Sequence, residues 1–264
     1  MSGAYAAPSL FECVRTQLRV VGALVVREMQ SRYGKRDLSL LWVFLEPLVL
    51  SLVIGLFHTL IGSHRTMRRV FEFYAMGYLL FFMMRSVVNR GSGSLVQNLN
   101  LLAHRRITPL DVFIARGVIE LLTTALVMAI FQIGLLAWGA DMPVSPIQML
   151  GALLLMLLLV QGLAFLVGSI AALFPSIERL THVFTYLMLP VSGAFWMIDS
   201  LPRWAADIVI WVPFVHIFEF MREGQFGDLY TYIYDLNYVM FWILGLNLVG
   251  MTALRSVRRH LAAE

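Results

Sequence analysis

The sequence is poor in charge and has almost no cysteine or lysine. Charged residues make up 14% of the 264 residues and hydrophobic residues 59%, whereas about 25% of a soluble domain is charged. The single cysteine, Cys13, excludes an internal disulfide. The mean hydropathy of +0.78 indicates an integral membrane protein. Because one span takes about 20 mainly apolar residues, about six spans would occupy most of this length.

Several catalytic patterns are missing. The only lysine, Lys35, follows Gly34 but precedes Arg36, so the sequence has no phosphate-binding loop of the Gly-x-x-x-x-Gly-Lys-Ser/Thr kind. The six histidines are scattered and form no His-Glu-x-x-His motif. His216 and Glu219 are spaced to share a helix face, which we interpret as a structural pair rather than a metal site. These absences favour a channel or transporter component over an enzyme, with no catalytic residue, metal or cofactor of its own.

The apolar runs predict an all-α integral membrane fold, in which one domain, 1–264, holds six transmembrane helices. The spans are expected at 38–61, 70–89, 111–138, 147–174, 180–198 and 232–254. Between the last two, residues 199–222 form two short apolar pieces divided by Pro213. Neither piece is long enough to span, so we expect a re-entrant or interfacial helical hairpin that protein or water covers.

An amphipathic helix is expected before the first span, at residues 9–30. Its apolar stripe includes Leu18, Val21 and Val25, and its charges lie away from that stripe. A helix of this composition should lie on the membrane surface rather than cross it.

The stretch 91–106 is the first candidate site. Its glycine- and serine-rich start should be flexible, and Leu95, Leu99 and Leu102 then recur at helical spacing. We interpret it as a short amphipathic helix that a soluble partner grips; a solvated interfacial loop is the alternative. The residues assigned to this contact are Asn98, Leu99, Leu102, Arg105 and Arg106.

The basic residues predict the orientation in the membrane. Six spans place both termini on one side. Of the 20 lysines and arginines, two lie within spans, 13 in segments on the side of the termini and five on the other side. Because cytoplasmic segments are enriched in these residues, both termini should be cytoplasmic and the hairpin should face outward. The basic residues follow sidedness, so no nucleic acid partner is expected.

Charged residues also occur in or near the predicted spans. These are Glu46, Arg85, Arg116 and Glu120. On insertion scales a charge at the centre of a spanning helix costs about 2.5 to 3.5 kcal/mol. Arg116 and Glu120 are four apart on one helix and can pair. A neutralised pair that locks helices and a polar pathway are both open explanations.

Three arginines fall in one short outer loop, where the orientation rule disfavours them. Arg65, Arg68 and Arg69 are expected to form a local positive field, which could attract a polyanion or hold an acidic partner surface. A solvated loop that pairs with Glu72 is the alternative. The other outer candidates are His216, Glu219 and Arg222.

The order of several short motifs resembles one family of membrane proteins. The matching residues in the first half are Arg27-Glu28 and Arg32-Tyr33-Gly34 before the first span, and Leu41-Trp42 and Glu46-Pro47 within it. Around the stretch 91–106 they are Asn98 to Leu102, Thr108-Pro109-Leu110-Asp111, Ala115-Arg116 and Glu120. In the second half they are Pro190, Ser192-Gly193 and Leu201-Pro202 near the fifth span, and Pro213-Phe214-Val215-His216, Glu219 and Arg222 in the hairpin. The chain resembles the permease subunit of a type-2 ABC exporter, and most closely that of capsular polysaccharide export in Gram-negative bacteria. Val212 departs from the pattern, since many relatives have asparagine there.

This resemblance implies partners and roles. It implies a homodimer with two copies of a separate ATPase, which binds the ATP and Mg²⁺, and residues 91–106 would be a coupling helix in a cleft of that ATPase. It also implies the inner membrane as location, an inner-membrane polysaccharide co-polymerase and an outer-membrane export protein as partners, and a lipid-linked anionic polysaccharide as cargo. The hairpin 199–222 would be periplasmic.

A glycan has polar edges and apolar faces, so aromatic side chains with few fixed charges suit its pathway. The candidates are Tyr74, Tyr78, Phe81, Phe82, Tyr186, Phe195 and Trp196; a lipid-facing or core position is the alternative for each. Other functions stay open at this point. They are a permease for O-antigen, teichoic acid or another lipid-linked glycan, an exporter of lipids or drugs, and a membrane enzyme acting on a lipid-linked sugar.

Overall fold

The structure is a computed structural model, and it describes residues 10–33, 45, 46, 48–50, 52–54, 56, 57, 60, 67–98, 101 and 107–261. The α-helices among these residues are α1 Leu10–Tyr33, α2 Met67–Ser92, α3 Ser94–Gln97, α4 Pro109–Ala137, α5 Pro146–Leu173, α6 Ser176–Leu187, α7 Arg203–Val209, α8 Pro213–Phe226 and α9 Leu236–Leu261. Short 3-10 helices cover Ile198–Ser200 and Gly227–Leu229. The described residues between 45 and 60 are also helical.

Capping residues and prolines set where the long helices begin. At α4 the Thr108 side chain accepts from the Asp111 N–H, and the Asp111 carboxylate accepts from the Thr108 N–H at 2.8 Å. Pro109 occupies the first helical turn, where its missing N–H costs nothing. α5 repeats this design with Ser145 as cap and Pro146 next. Both starts lie within two residues of the predicted span boundaries.

α5 is the central helix and contacts α2, α4, α6, α8 and α9. α2 is the most enclosed: 89% of its most apolar window is buried, against 17% for α9. Gly162 brings α5 and α9 together, since a Cβ there would lie 2.7 Å from the Asn247 backbone nitrogen. Small residues that let backbones approach are a common basis of helix packing in membranes.

Four helices of the described part are long and apolar enough to cross a membrane: α2, α4, α5 and α9. A fifth span is added if α7 and α8, which are bent by 104° across a short break, count as one broken span. About half of the predicted span 38–61 lies outside the described residues. The structure therefore supports a helical, multi-pass membrane protein, while the count of six stays a prediction.

The predicted fifth span, 180–198, is wrong as one continuous helix. α6 ends at Leu187, and turns follow up to the 3-10 helix at Ile198. Pro190 has no N–H to continue the helical ladder, and Gly193 adopts a φ of +88°, which favours glycine. The apolar side chains of this segment concealed the break. The helices of the predicted hairpin 199–222 also run further than expected, to Phe226.

The start of the stretch 91–106 also differs from the prediction. Gly91 and Ser92 complete α2 instead of forming a flexible link, and residues 91–95 are buried. A Cβ at Gly91 would lie 2.6 Å from the Ala164 Cβ on α5. These small residues therefore serve close helix contact, which their low helix propensity did not reveal.

α1 packs against α4 with part of the predicted apolar stripe. Leu24, which lies beside that stripe, is buried with Val112 of α4. Val21 and Val25 of the stripe pack against this cluster, whereas Leu18 of the stripe is 68% exposed. The contact with α4 is therefore centred on Leu24 and takes in only part of the stripe. Whether α1 lies on the membrane surface stays a prediction.

Candidate functional site

Two ion pairs join α1, α2 and α4 at the end of α4 that begins with Pro109. Arg90 Nε lies 2.8 Å from Glu120 Oε1, and Arg116 Nε lies 3.4 Å from Glu28 Oε1. The Glu120 side chain is 3% exposed, so its charge needs this compensation. The sequence predicted pairing within α4, but the structure brings a partner to each of these residues from another helix. We call these four residues the α4 cluster.

Arg116 extends this cluster to α3. Its Nη1 donates to the Arg90 carbonyl at 2.8 Å and to Ser94 Oγ at 2.7 Å, and its Nη2 donates to Gln97 Oε1 at 3.1 Å. One guanidinium thus ties α1, the end of α2 and α3 to α4. A charge-assisted, multidentate arrangement of this kind fixes geometry as well as adding stability.

Asn98 follows α3 and is 5% exposed, with its Nδ2 donating to the Ser94 carbonyl at 2.9 Å. The structure therefore gives Asn98 a local structural role. The other assigned contact residues, Leu99, Leu102, Arg105 and Arg106, lie outside the described residues. The contact with a soluble partner stays a prediction.

A third ion pair lies inside the helical body. Arg85 Nη2 and Tyr78 Oη, both on α2, donate to Glu46 Oε1, the latter at 2.7 Å. The Arg85 guanidinium also lies 4.6 Å from the centre of the Tyr186 ring and 5.4 Å from that of Phe82. The two intramembrane charges that the sequence left without partners therefore neutralise each other.

The aromatic pathway candidates occupy one connected region. Phe195 contacts the rings of Tyr74 and Tyr78 at centroid distances of 5.7 Å and 6.3 Å, and Phe81 lies 6.0 Å from Tyr78. Tyr74, Tyr78 and Phe81 are buried, whereas Tyr186 is 58% exposed. Trp196 stands apart from the rings and donates from its Nε1 to the Pro190 carbonyl at 2.6 Å. That these aromatic side chains contact glycan stays a prediction. Its first requirement is access of water to them, which labelling of introduced cysteines tests.

Tyr186→Cys should react with a water-soluble thiol reagent in a Cys13→Ser background, and Phe184→Cys should not. Both side chains lie on α6 and are similarly exposed, at 58% and 53%. Only Tyr186 lies beside the ion pair of Arg85 and Glu46, where water should enter; lipid would cover Phe184. Labelling rates in membranes, with and without ATP, measure this difference. Equal rates at the two positions would assign Tyr186 to a lipid-facing surface.

Arg222 holds the turn that replaces the predicted fifth span. Its side chain is 2% exposed. Its Nη1 donates to the Trp196 carbonyl at 2.6 Å, and its Nη2 donates to the carbonyls of Gly193 and Ala194 at 2.7 Å and 2.9 Å. Glu219 Oε1 lies 3.7 Å from Arg222 Nη1, and its negative charge offsets the buried positive charge of Arg222. We call the segment 193–196 with its Arg222 contacts the Arg222 clamp.

His216 and Glu219 do not act as one pair. His216 Nδ1 accepts from the Asp235 N–H at 2.9 Å, so its Nε2 carries the proton and donates to the Ile210 carbonyl at 2.8 Å. Glu219 Oε1 accepts from the Ile198 N–H at 3.2 Å. Both side chains therefore fasten turns around α8. Among the described residues, no group of three or more His, Cys, Asp or Glu side chains is placed to hold a metal.

The outer arginines have separate surroundings. Arg68 donates to the Gly139 carbonyl, and Arg69 is exposed. Glu72, suggested as their partner, interacts electrostatically with Arg68 and Arg69 and also accepts a hydrogen bond from Gln225 Nε2 on α8. Arg65 lies outside the described residues. A joint positive field of Arg65, Arg68 and Arg69 therefore stays a prediction.

A polar contact between α5 and α8 was missed entirely. Gln148 Nε2 donates to Glu223 Oε2 at 2.6 Å, and Tyr234 Oη donates to the same oxygen. Burial, followed by this hydrogen bond, raises the pKa of Tyr234 to about 12, which keeps the phenol a donor. Gln148 and Glu223 are 75 residues apart, and no local spacing signals such a pair. Glu28 belongs to the Arg27-Glu28 motif, but no spacing along the sequence indicated Arg116 as its partner.

These observations define the class as a polytopic, helical membrane protein, in which the charges Glu46, Arg85, Arg116 and Glu120 of the apolar helices are paired between helices. The family profile described as ABC-2 type transporter matches residues 19–226. The chain belongs to the ABC-2 type transporter family.

Several curated proteins are similar over nearly their whole length. Capsule polysaccharide export inner-membrane protein CtrC of Neisseria meningitidis serogroup A is 34% identical over 246 residues, which cover 92% of each chain. Capsule polysaccharide export inner-membrane protein BexB of Haemophilus influenzae is 30% identical over 250 residues, or 94% of each chain. Polysialic acid transport protein KpsM of Escherichia coli is 27% identical over 242 residues, or 89% of this chain and 92% of KpsM.

Proposed function

We propose that this chain is the membrane-spanning permease of an ATP-driven exporter that moves lipid-anchored capsular polysaccharide across the inner membrane. The observation that carries the proposal is the 34% identity over 92% of both chains with a protein named for capsule polysaccharide export. BexB carries the same description. The apolar helices α2, α4, α5 and α9 supply a membrane body suited to this role.

Energy for export comes from a partner in this proposal. The sequence has no phosphate-binding loop, so a separate ATPase, present in two copies, binds ATP and Mg²⁺ and drives a homodimer of this chain. An inner-membrane co-polymerase and an outer-membrane export protein receive the polymer. The excess of basic residues on the side of the termini supports cytoplasmic termini.

The α4 cluster supports the coupling role of residues 91–106. Arg116 holds α3, which begins this stretch, against α1 and α4. A force applied by the ATPase to residues 99–106 would therefore act on several helices together. This rigid base is what a coupling element requires.

Leu99→Asp should abolish co-purification of the ATPase, while Arg106→Ala should lower it only slightly. Buried apolar anchors dominate interface energies, with truncations at such positions costing about 2 kcal/mol or more, whereas rim charges contribute little. The ATPase recovered per permease, quantified after detergent extraction, measures the effect. Full recovery with Leu99→Asp would remove this residue from the interface.

A deletion of the gene tests the proposed function. Cells that lack this chain should accumulate the polymer in the cytoplasm, and an intact copy supplied in trans should restore polymer at the surface. Accumulated O-antigen, teichoic acid or another lipid-linked glycan instead would reassign the cargo. Unchanged surface polymer together with loss of lipid or drug efflux would replace glycan export by another transport function.

A further inference from the structure

A cavity of about 400 Å³ opens between α2, α6 and the helical residues 45, 46, 49, 50 and 53. Its polar lining consists of Glu46, Tyr78, Arg85 and Tyr186, and aliphatic side chains such as Val53 complete the wall. Small-molecule sites typically measure about 300–1,000 Å³ and combine apolar walls with a few placed polar groups. The cavity therefore has the size and lining of a ligand site.

The ion pair in this cavity leaves hydrogen-bonding capacity unused. Tyr78 Oη and Arg85 Nη2 both donate to one oxygen of Glu46, Oε1. Within the described part of the chain no donor reaches Glu46 Oε2, and Arg85 donates only through Nη2. The Glu46 side chain is 24% exposed at the cavity wall. As far as the described residues extend, an acceptor and further donors therefore lie side by side at this wall of the cavity.

The two charges select the chemistry of a ligand. Glu46 repels an anion and Arg85 repels a cation, whereas a hydroxyl can donate to the carboxylate and accept from the guanidinium. Tyr186, 58% exposed, adds a flat aromatic surface beside Arg85, at 4.6 Å from the guanidinium. Such a ring presents an apolar face and a polar tip. A neutral ring that carries hydroxyls at its edge and C–H groups on its face fits all three groups.

We propose that this cavity is a saccharide-binding subsite, in which Glu46 and Arg85 hold neighbouring hydroxyls of one sugar unit and Tyr186 stacks on its apolar face. The proposal rests on the proposed function, because the sugar is an uncharged part of one unit of the transported glycan. An ion pair that only locked two helices would need neither the open carboxylate oxygen nor the exposed ring.

Protection of an introduced cysteine tests the subsite in the assembled complex with the ATPase. The probe is a set of oligosaccharides from partial hydrolysis of the host strain's capsular polymer. Val53→Cys, in a Cys13→Ser background, should be labelled by a water-soluble maleimide, and the oligosaccharides should slow this labelling. Val183→Cys is the matched control, because Val183 on α6 is outside the cavity and similarly exposed, at 58% against 59%. Its labelling rate should not respond to the oligosaccharides.

Variants of the polar lining then separate binding from structure. Tyr186→Ala should raise the oligosaccharide concentration that gives half protection about tenfold, as expected for the loss of an aromatic contact, while Tyr186→Phe should change it little. Glu46→Gln should also raise it about tenfold, because a charged acceptor becomes neutral. Glu46→Gln keeps an acceptor for Tyr78 and Arg85 but removes the counter-charge of Arg85. Its melting temperature is therefore compared with that of wild type, and Tyr186→Ala, which leaves the ion pair intact, tests the same contact independently.

Two outcomes overturn the subsite. One is oligosaccharide protection of Val53→Cys no greater than that of Val183→Cys, a comparison that leaves the polar lining unaltered. The other is an unchanged half-protecting concentration in both Tyr186→Ala and Glu46→Gln. Either result leaves the export function standing, whereas continued export in the deletion strain removes that function independently of any protection.

Discussion

Arg222→Met should remove most of the folded protein from the membrane. Arg222 is the donor to three carbonyls of the segment 193–196 and the partner of Glu219, and both side chains are buried. Methionine fills similar space but leaves those carbonyls without donors and Glu219 without its counter-charge. Removing one partner of a buried ion pair costs about 3–5 kcal/mol. Detergent-extracted, monodisperse protein and its melting temperature should both fall sharply.

Two controls make this result specific to the Arg222 clamp. Arg203→Met alters an exposed arginine on α7 and should keep wild-type yield. Glu219→Gln combined with Arg222→Met removes the unpaired buried charge, so it should recover part of the lost stability, although the carbonyls still lack donors. A single Arg222→Met variant as stable as wild type would show that the clamp does not hold this turn.

Gly77→Ala should destabilise the same region from the other side. A Cβ at Gly77 on α2 would lie 2.2 Å from the Ala194 carbonyl oxygen. That oxygen is fixed by Arg222 at 2.9 Å, so the backbone cannot retreat without loss of a hydrogen bond. Overpacking of a tight core costs about 1–3 kcal/mol, and more where backbone must move. The melting temperature of the purified protein should fall accordingly.

Gly134→Ala is the matched control for this change. It is also a helical glycine, but a Cβ there would meet nothing within 4 Å, and alanine gains up to about 1 kcal/mol in helix propensity. Its melting temperature should equal or exceed that of wild type. Because Gly77 and Arg222 act on one segment, their effects should not add in a double variant. A neutral Gly77→Ala result would contradict the close approach of residue 194 to α2.

Patterns along the chain predicted the long helices but not where the chain leaves helical geometry. The runs that became α4 and α5 carry Pro109 and Pro146 at their starts, and helix capping is a local property. The segment 188–197 is as apolar as a span, so hydropathy placed it in one. Pro190 and Gly193 were the local signals of a break. The break is stabilised by Arg222, which lies 26 and 29 residues after Trp196 and Gly193, whose carbonyls it binds.

Candidate residues were predictable from the sequence better than their partners. The four intramembrane charges were conspicuous because charge is rare in these apolar runs. Pairing Glu46 with Arg85 needs the packing of helices whose paired residues are 39 positions apart. The α4 cluster likewise depends on α1 lying against α4, a contact between helices that no spacing along the sequence indicates. Tertiary contact therefore decided which charges became neutral pairs.

Together these contacts divide the molecule into regions with distinct expected roles. The α4 cluster stiffens the base of residues 91–106, where the ATPase is proposed to act. The Arg222 clamp fixes the segment between α6 and α7 against α2. Between these two regions lies the cavity that contains Glu46, Arg85 and Tyr186, where a glycan unit is proposed to bind.

Inverted inner-membrane vesicles test most directly whether this chain transports a lipid-linked glycan with energy from ATP. Vesicles that contain the chain and its ATPase should move added glycan into the lumen, where an externally added glycan-degrading enzyme cannot reach it. This protection should require ATP and should disappear in vesicles prepared without the chain. Equal protection without the chain, or protection that does not depend on ATP, would contradict the account.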